Sequence, residues 1–561
     1  MKKLIVLSLA GLLILAFGAT AYAQKLEFRA SGYFDTQTFV GVNVPEFNVV
    51  TPIGLWGVGN GNFSINTGAA QTIGAPPFGT KYEAAFLGKG FAPPTGYNNI
   101  GTDWESKAAL KFDAVMGPNL SGTIYLEMND LRWGSSYFGA QGFANPWSPF
   151  NANGREAGNY GGWDTGREAV QVKNVYVDVG LPYFGVPWPI TVRVGAQPIG
   201  IRPAMLLYSD GMGVTAGIKI DPVLINPIYA KAVENGDFTH LDSDVYGLQA
   251  NAKIGTVQIG GYGLYYRMNT FPFFWVSSSQ IPGSAFGQTI IAPGTQQSNM
   301  WWLGAYAEGK TGPVDFNFDF VYDFGEENSQ MSIVPHVTYN GWASRLNVEY
   351  PWEKFKFGVT GMYASGSDTR HTDPTGMAGN STSIGTLSKN VSGYVIPVGS
   401  VQGAIDSESI VMYDMEGGAT AGYGIGSQAS FQYLSRGGFG GTWFAKLYAS
   451  AKLTPWYKLT AQALYIGDTS GHGDTFGTAM KPNGLLRDDQ FIGVELDIMN
   501  DIQIYNNLRF WMGFGYMFAG KAMDINPDIT SNGYMVPGIR LFKNSTPDNP
   551  WAFRTRLIYT F

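Results

Sequence analysis

Asp315, Asp319 and Asp323 recur at every fourth position of the stretch Val314 to Phe324, and phenylalanines stand between them. Arg29, Lys111, Arg193, Arg509, Arg554 and Arg556 likewise sit in stretches where polar and apolar residues alternate. Charges spaced by two or four share one side of an extended chain, so the chemistry on offer is a charged surface along a strand. The residue types that catalysis needs are poorly placed. There is no cysteine, which excludes thiolate nucleophiles, thiolate ligands and disulfides. The four histidines, His240, His336, His371 and His472, lie far apart in polar segments. Ser470-Gly-His-Gly-Asp474 holds the residue types of a hydrolytic triad, but five consecutive loop positions do not supply its geometry. Asp524-Ile-Asn-Pro-Asp528 opens like a calcium loop, yet Ile529 replaces the required glycine and Met535 the closing glutamate. No enzyme, cofactor or metal centre follows from these residues.

The elements that must carry the charges read as strands. Val314, Phe316, Phe318, Phe320, Tyr322 and Phe324 form one face, and Asp315, Asn317, Asp319, Val321 and Asp323 form the other. The same period of two runs through 190–197, 443–453, 508–518 and 553–561. The longer stretches reach about ten residues, the length a strand needs to cross a bilayer at a tilt. Connections fall alternately into two classes. Short ones, rich in Gly, Pro, Asn and Asp, include Gly117–Leu120, Gly180–Pro189, Asp221–Pro227, Gly255-Thr256, Gly309–Pro313, Pro351–Lys354, Thr454–Tyr457 and Met499–Asp501. Between them lie long ones such as Val42–Thr102, Ser135–Arg167, Thr270–Ser298, Gly366–Gly440 and Lys521–Asn549. Short turns on one rim and long loops on the other predict an all-β, transmembrane, antiparallel up-and-down β-barrel with periplasmic turns and extracellular loops. The predicted strand centres are 33, 110, 127, 174, 194, 216, 230, 249, 262, 304, 319, 346, 360, 447, 463, 494, 512 and 556. That gives about 18 strands. Sixteen is the alternative, because the pattern near 216 and 230 is weak. Either number leaves an aqueous lumen rather than a packed core.

Composition agrees. Charged residues make up only 14 %, aromatics 15 %, and there are 75 glycines. The mean hydropathy of -0.05 fits strands with one apolar and one polar face. No stretch after the first two dozen residues reaches the ~18 apolar positions of a spanning helix. Lys2 and Lys3, the apolar run to Ala19 and the small-residue pattern Ala21-Tyr22-Ala23 are laid out as a secretory signal peptide, residues 1–23. Residues 24–561 then form one barrel domain. A net charge of -7 without a long basic run gives nucleic-acid binding no support.

Closing the last strand on the first brings Arg29, Lys111, Arg509, Arg554 and Arg556 onto one wall, with Arg193 farther round. Asp315, Asp319 and Asp323 lie roughly half a circumference away. Facing walls of opposite sign would set up a transverse field across the lumen; mixed charges that merely keep the lumen wet are the plainer reading. The segment Pro198–Gly211, with Arg202 and Asp210, is the candidate constriction loop, and Gly366–Gly440 is the rival for occluding the mouth. Outward Trp104, Trp301, Trp443, Tyr350 and Tyr559 suit interfacial girdles.

Phe553, Thr555, Leu557, Tyr559 and Phe561, alternating with Arg554, Arg556, Ile558 and Thr560, resemble the terminal targeting strand of Gram-negative outer-membrane proteins. The resemblance implies an assembly signal at Tyr559 and Phe561, read by the barrel-assembly machinery. Asn119–Gly134 resembles the second hairpin of Gram-negative porins. Val172–Val179 is similar to the strand that follows it, and Val192–Ile199 to the strand leading into the channel loop. Among porins the likeness is to the homotrimeric group of sulfate-reducing and related bacteria. It implies a homotrimer in outer-membrane lipid that passes ions and small hydrophilic solutes without a cofactor. Two alternatives share the fold: a substrate-specific channel, and a barrel sheathing a partner such as a multihaem cytochrome. An energised receptor would need a plug domain ahead of the first strand, which here begins by Leu26.

Overall fold

The computed structural model describes residues 26–42, 100–133, 170–181, 188–203, 205–234, 242–269, 275–277, 288–290, 296–329, 337–366, 390–397, 400, 408–413, 439–469, 489–524 and 548–561. The predicted signal peptide, the four histidines, Ser470–Asp474 and all of Asp524–Asp528 except its first residue lie outside them.

Eighteen long strands form one closed antiparallel barrel. In chain order they are β1 (Leu26–Val42), β2 (Ile100–Met116), β3 (Leu120–Trp133), β4 (Gln171–Gly180), β5 (Ile190–Ile201) and β6 (Leu207–Ile220). There follow β7 (Val223–Val233), β8 (Ser243–Ile254), β9 (Val257–Met268), β10 (Gln296–Thr311), β11 (Val314–Ser329) and β12 (Trp342–Trp352). The last six are β13 (Phe355–Ala364), β14 (Thr442–Thr454), β15 (Tyr457–Asp468), β16 (Phe491–Tyr505), β17 (Leu508–Ala519) and β18 (Trp551–Thr560). Every predicted centre falls inside its strand, including the weakly patterned 216 and 230. Each strand pairs with its sequence neighbours, and β18 closes on β1 through the register Tyr33↔Thr560 to Val42↔Trp551. Both ends of the barrel chain therefore lie on the short-turn rim.

The alternation sorts side chains into two environments. Phe28, Leu110, Phe112, Ile124, Leu346, Leu447 and Leu496 point out from the cylinder and are exposed. Their strand neighbours Arg29, Lys111, Thr123, Arg345, Lys446 and Glu495 point in, where ion pairs and hydrogen bonds collect. Outward aromatics gather near the rims. Near the long-loop ends, Tyr229, Tyr246, Tyr265 and Trp301 form a chain of ring contacts from strand to strand, the last pair stacked with centroids 4.4 Å apart. Trp352, Phe355 and Phe357 cluster at the other rim.

Two expected turns lie elsewhere. Met499–Asp501 is mid-strand: β16 runs on to Tyr505, and Asn506-Asn507 turns instead. The alternation of outward Ile498, Ile502 and Ile504 carries the strand through the polar residues between them. The β6–β7 turn is Asp221-Pro222 alone, and Pro227 lies within β7. Proline lacks a ladder N–H, and the β6–β7 pairing is interrupted there, between Thr215↔Ile228 and Ile218↔Ile225.

The lumen is not wet throughout, as the barrel diameter alone had implied. A buried apolar cluster joins Ile201, Met205 and Leu206 to inward Leu264, Tyr266 and Trp302, and to Tyr394, Ile396 and Phe439 of the long β13–β14 connection. Segments from two connections fold inside and bury their own apolar residues against the wall.

Candidate functional site

The first inward segment is the tip of the β5–β6 hairpin. Pairing persists up to Ile201↔Leu207, so most of the expected Pro198–Gly211 loop is strand, with Arg202, Pro203, Met205 and Leu206 outside the ladder. Ile201 lies against the inner face of β8 at Gly247, where a Cβ would come within 2.9 Å of it. Arg202, at φ 43, reaches β10 and β11. Its Nε and Nη2 donate to the two oxygens of Asp319 at 2.5 and 2.6 Å, and its Nη1 donates to Glu308 at 2.9 Å. The guanidinium also lies 4.1 Å from the Tyr306 ring centroid. A planar fork matches a carboxylate in this way, and burial of the Asp319 side chain, 2 % exposed, strengthens the pair. Asp210 accepts a hydrogen bond from Asn174 of β4 at 2.8 Å.

The second inward segment belongs to the β13–β14 connection and is held at several points. Tyr394 donates its hydroxyl to the Met205 carbonyl at 2.5 Å, and Ser400 donates to that of Leu206 at 2.8 Å, so the two inward segments are tied together. Asp323 accepts from the backbone N–H groups of Gly341 and Val395 at 3.0 and 3.1 Å. Glu408, 3 % exposed, is paired with Arg345 of β12 and Lys446 of β14. Glu495 of β16 accepts the N–H groups of Ile410, Val411 and Met412 at 2.9, 2.6 and 3.1 Å. Three consecutive loop N–H groups on one buried carboxylate satisfy donors that a loop inside a barrel would otherwise leave orphaned. Burial alone would raise the Glu408 carboxyl, but Lys446 and Arg345 outweigh it and hold the group below the usual glutamate range. The Tyr394 hydroxyl, buried and near Tyr262 and Asp323, is pushed well above the ordinary tyrosine range.

The expected walls are changed by these contacts. Asp315 stays partly exposed, 3.9 Å from Lys310. Asp319 is consumed by Arg202 and Asp323 by backbone groups, so neither presents charge to water. The opposite wall is a row of pairs rather than bare cations. Arg29 meets Glu27 at 2.9 Å, Lys111 meets Asp113 at 3.1 Å, and Arg193 meets Asp178 at 2.7 Å. Arg509 meets Asp501 at 2.5 Å and Arg556 meets Asp35 at 2.7 Å. Arg554 is buried beside the Phe39 ring, 5.3 Å from its centroid. Arg29 and Lys111 find an acid two residues away on their own strand, whereas Arg193, Arg509 and Arg556 find one on the adjacent strand, a pairing that periodicity alone does not reveal.

Beyond Arg509 the basic surface continues in a direction that sequence reasoning missed. Between β12 and β17 a recess of about 320 Å³ opens on the lumen, and Lys356, Lys446, Lys458, Arg509, Glu349 and Asp501 supply its charges. Lys356 donates to Glu349 at 2.8 Å, and Tyr448 donates to the same carboxylate at 2.5 Å. Lys446 and Lys458 stood on the polar faces of their strands in the sequence. Nothing there marked them as neighbours, and Glu408 lay unsignalled within a loop of some seventy residues.

Tyr559 and Phe561 lie at the seam. The Phe561 backbone exchanges hydrogen bonds with Gly32, and its ring fills the space where a Gly32 side chain would project.

No family model matches the chain, and no curated protein matches it. The fold is similar to those of known outer-membrane structures. OpdK of Pseudomonas aeruginosa aligns with 95 % of this chain and 99 % of its own, at 8 % identity and a TM-score of 0.43. OccAB2 of Acinetobacter baumannii aligns with 95 % and 98 %, at 10 % identity and 0.44. OmpT of Vibrio cholerae, in a trimer form, aligns with 96 % and 99 %, at 9 % identity and 0.35.

Proposed function

We propose that this chain is a bacterial outer-membrane porin, a passive channel for ions and small hydrophilic solutes. One observation carries the reading. A closed cylinder keeps an apolar surface outside and a charged strip inside, and that strip stays open to water. The side chains of Lys458, Arg509 and Lys356 remain 50 %, 49 % and 44 % exposed. Closure pairs the backbone of each strand with both neighbours apart from local breaks such as the one at Pro227, as hydrocarbon demands, while an exposed charged strip gives solutes a hydrated route. The inward segments pack along the wall from β8 to β17 and narrow the route toward the remaining strands. The β5–β6 tip with Arg202 is the constriction in this reading.

The finer points follow from the sequence likenesses. The stretches 119–134, 172–179 and 192–199, here β3, β4 and β5, support a homotrimer of the kind found in sulfate-reducing and related bacteria. The alternating β18 supports recognition by the barrel-assembly machinery through Tyr559 and Phe561, and residues 1–23 support export as a cleaved signal peptide. Planar-bilayer recording of the purified protein tests the central claim. Discrete ohmic conductance steps are expected; a barrel that inserts without conducting overturns it. A sheath for a haem protein would instead co-purify with haem.

A further inference from the structure

We infer that the recess between β12 and β17 binds a small polyhydroxylated carboxylate, a sugar acid, as it passes; this rests on the channel reading. The recess of about 320 Å³ is large enough for such a molecule, at the lower end of the ~300–1,000 Å³ range of small-molecule sites. Four cations, Lys356, Lys446, Lys458 and Arg509, face two carboxylates, Glu349 and Asp501. Lys446 is also held by Glu408, but Arg345 on the other side of Glu408 offsets that charge. An excess of positive charge therefore remains for a solute anion. Lys458 is the best placed to meet it. Its ammonium stands 3.9 Å from Asp501, whose two oxygens already accept the Arg509 guanidinium at 2.6 and 2.5 Å.

The rest of the lining discriminates against a bare anion. Glu349 and Asp501 can accept from hydroxyl donors, and the Ser450 and Thr460 hydroxyls can both give and take hydrogen bonds. The Tyr448 hydroxyl donates to Glu349 and offers its oxygen, and the Gln462 amide hydrogens are held by the Glu408 carbonyl and Asp497. Trp511, with Met499 beside it in the lining, adds an apolar platform to a wall that is mostly polar. Its indole is wedged in place: a Cβ at Gly513 would meet it at 2.7 Å and would meet Ile410 of the docked segment at the same distance. Cations for a carboxylate, acceptors for hydroxyls and a flat apolar face for a carbon frame together fit a sugar acid. Neither a simple ion nor a neutral sugar uses all three.

The test compares gluconate, acetate and glucose on single channels of the full-length protein in planar bilayers, with calorimetry in detergent alongside. Gluconate is expected to interrupt the current saturably, and acetate and glucose to need far higher concentrations. Lys458→Gln should raise the half-blocking gluconate concentration about tenfold, the loss of one charged hydrogen bond. Lys458→Arg should restore most of the block. Trp511→Leu should weaken block by gluconate more than block by acetate. Channels that conduct but show no saturable block, or that acetate blocks as well as gluconate does, overturn the site and leave the channel reading standing. Gluconate binding in calorimetry by a barrel that does not conduct overturns the channel reading and leaves the site.

Discussion

Arg202 and Glu408 each hold an inward segment by one multiply bonded charge. Arg202 ties the β5–β6 tip to Asp319 and Glu308, and Glu408 ties the β13–β14 connection to Arg345 and Lys446. Removing one partner of a buried pair leaves the other charge desolvated, at a cost of about 3–5 kcal/mol. Arg202→Ala should therefore release the tip and raise single-channel conductance, with a lower unfolding midpoint in detergent. Unchanged conductance would show that the tip does not constrict the route. Glu408 gives a pH dependence whose sign is fixed. Its folded pKa lies below the unfolded value of about 4.3. The stability it contributes is thus complete above that pH and is lost as pH falls through the folded value. The Glu408 contacts should let go, and conductance rise, only as pH falls below the usual glutamate range. Glu408→Gln should show the raised conductance already at neutral pH.

At the scale of elements, the strands depend on close approach as well as on alternation. Gly195 in β5 has φ 133, and a Cβ there would stand 2.2 Å from the Val175 carbonyl of β4. Gly195→Ala meets both a disfavoured backbone and a neighbour that cannot yield. It should cost about 1–3 kcal/mol and lower the temperature at which the folded band disappears in a heat-shift gel. Gly122, with open space around its Cβ position, is the control and should tolerate alanine. Much of this was legible beforehand. The alternation in Leu508–Phe518 places β17 within a residue at either end, whereas Met499–Asp501 reads as a turn and is strand. Local polarity and sheet pairing compete there, and pairing with β15 and β17 on both sides prevails.

For the whole molecule the decisive contact is the seam. Phe561 bonds to Gly32 through its backbone, and its ring packs near Phe34 with centroids 5.5 Å apart. Removing Phe561 should reduce the yield of folded barrel in the outer membrane more than it reduces the stability of barrels that do form. Comparing membrane-inserted protein with the detergent unfolding midpoint checks this; equal losses would assign Phe561 to packing alone.

The sequence by itself determined the class of fold and the two rims, and narrowed the strand number to eighteen or sixteen; the clear strands at 216 and 230 decided for eighteen. The fold class and the rims follow from a period of two and from turn chemistry, both local properties of the chain. It also determined which charges point inward, because parity along a strand decides that. Only the tertiary structure decided which inward charges remain available. Asp319 meets Arg202, 117 positions away in the chain, and Glu408 meets a lysine and an arginine of two different strands. Pairing across a closed cylinder depends on strand register and on where long connections fold back, and no local pattern encodes either.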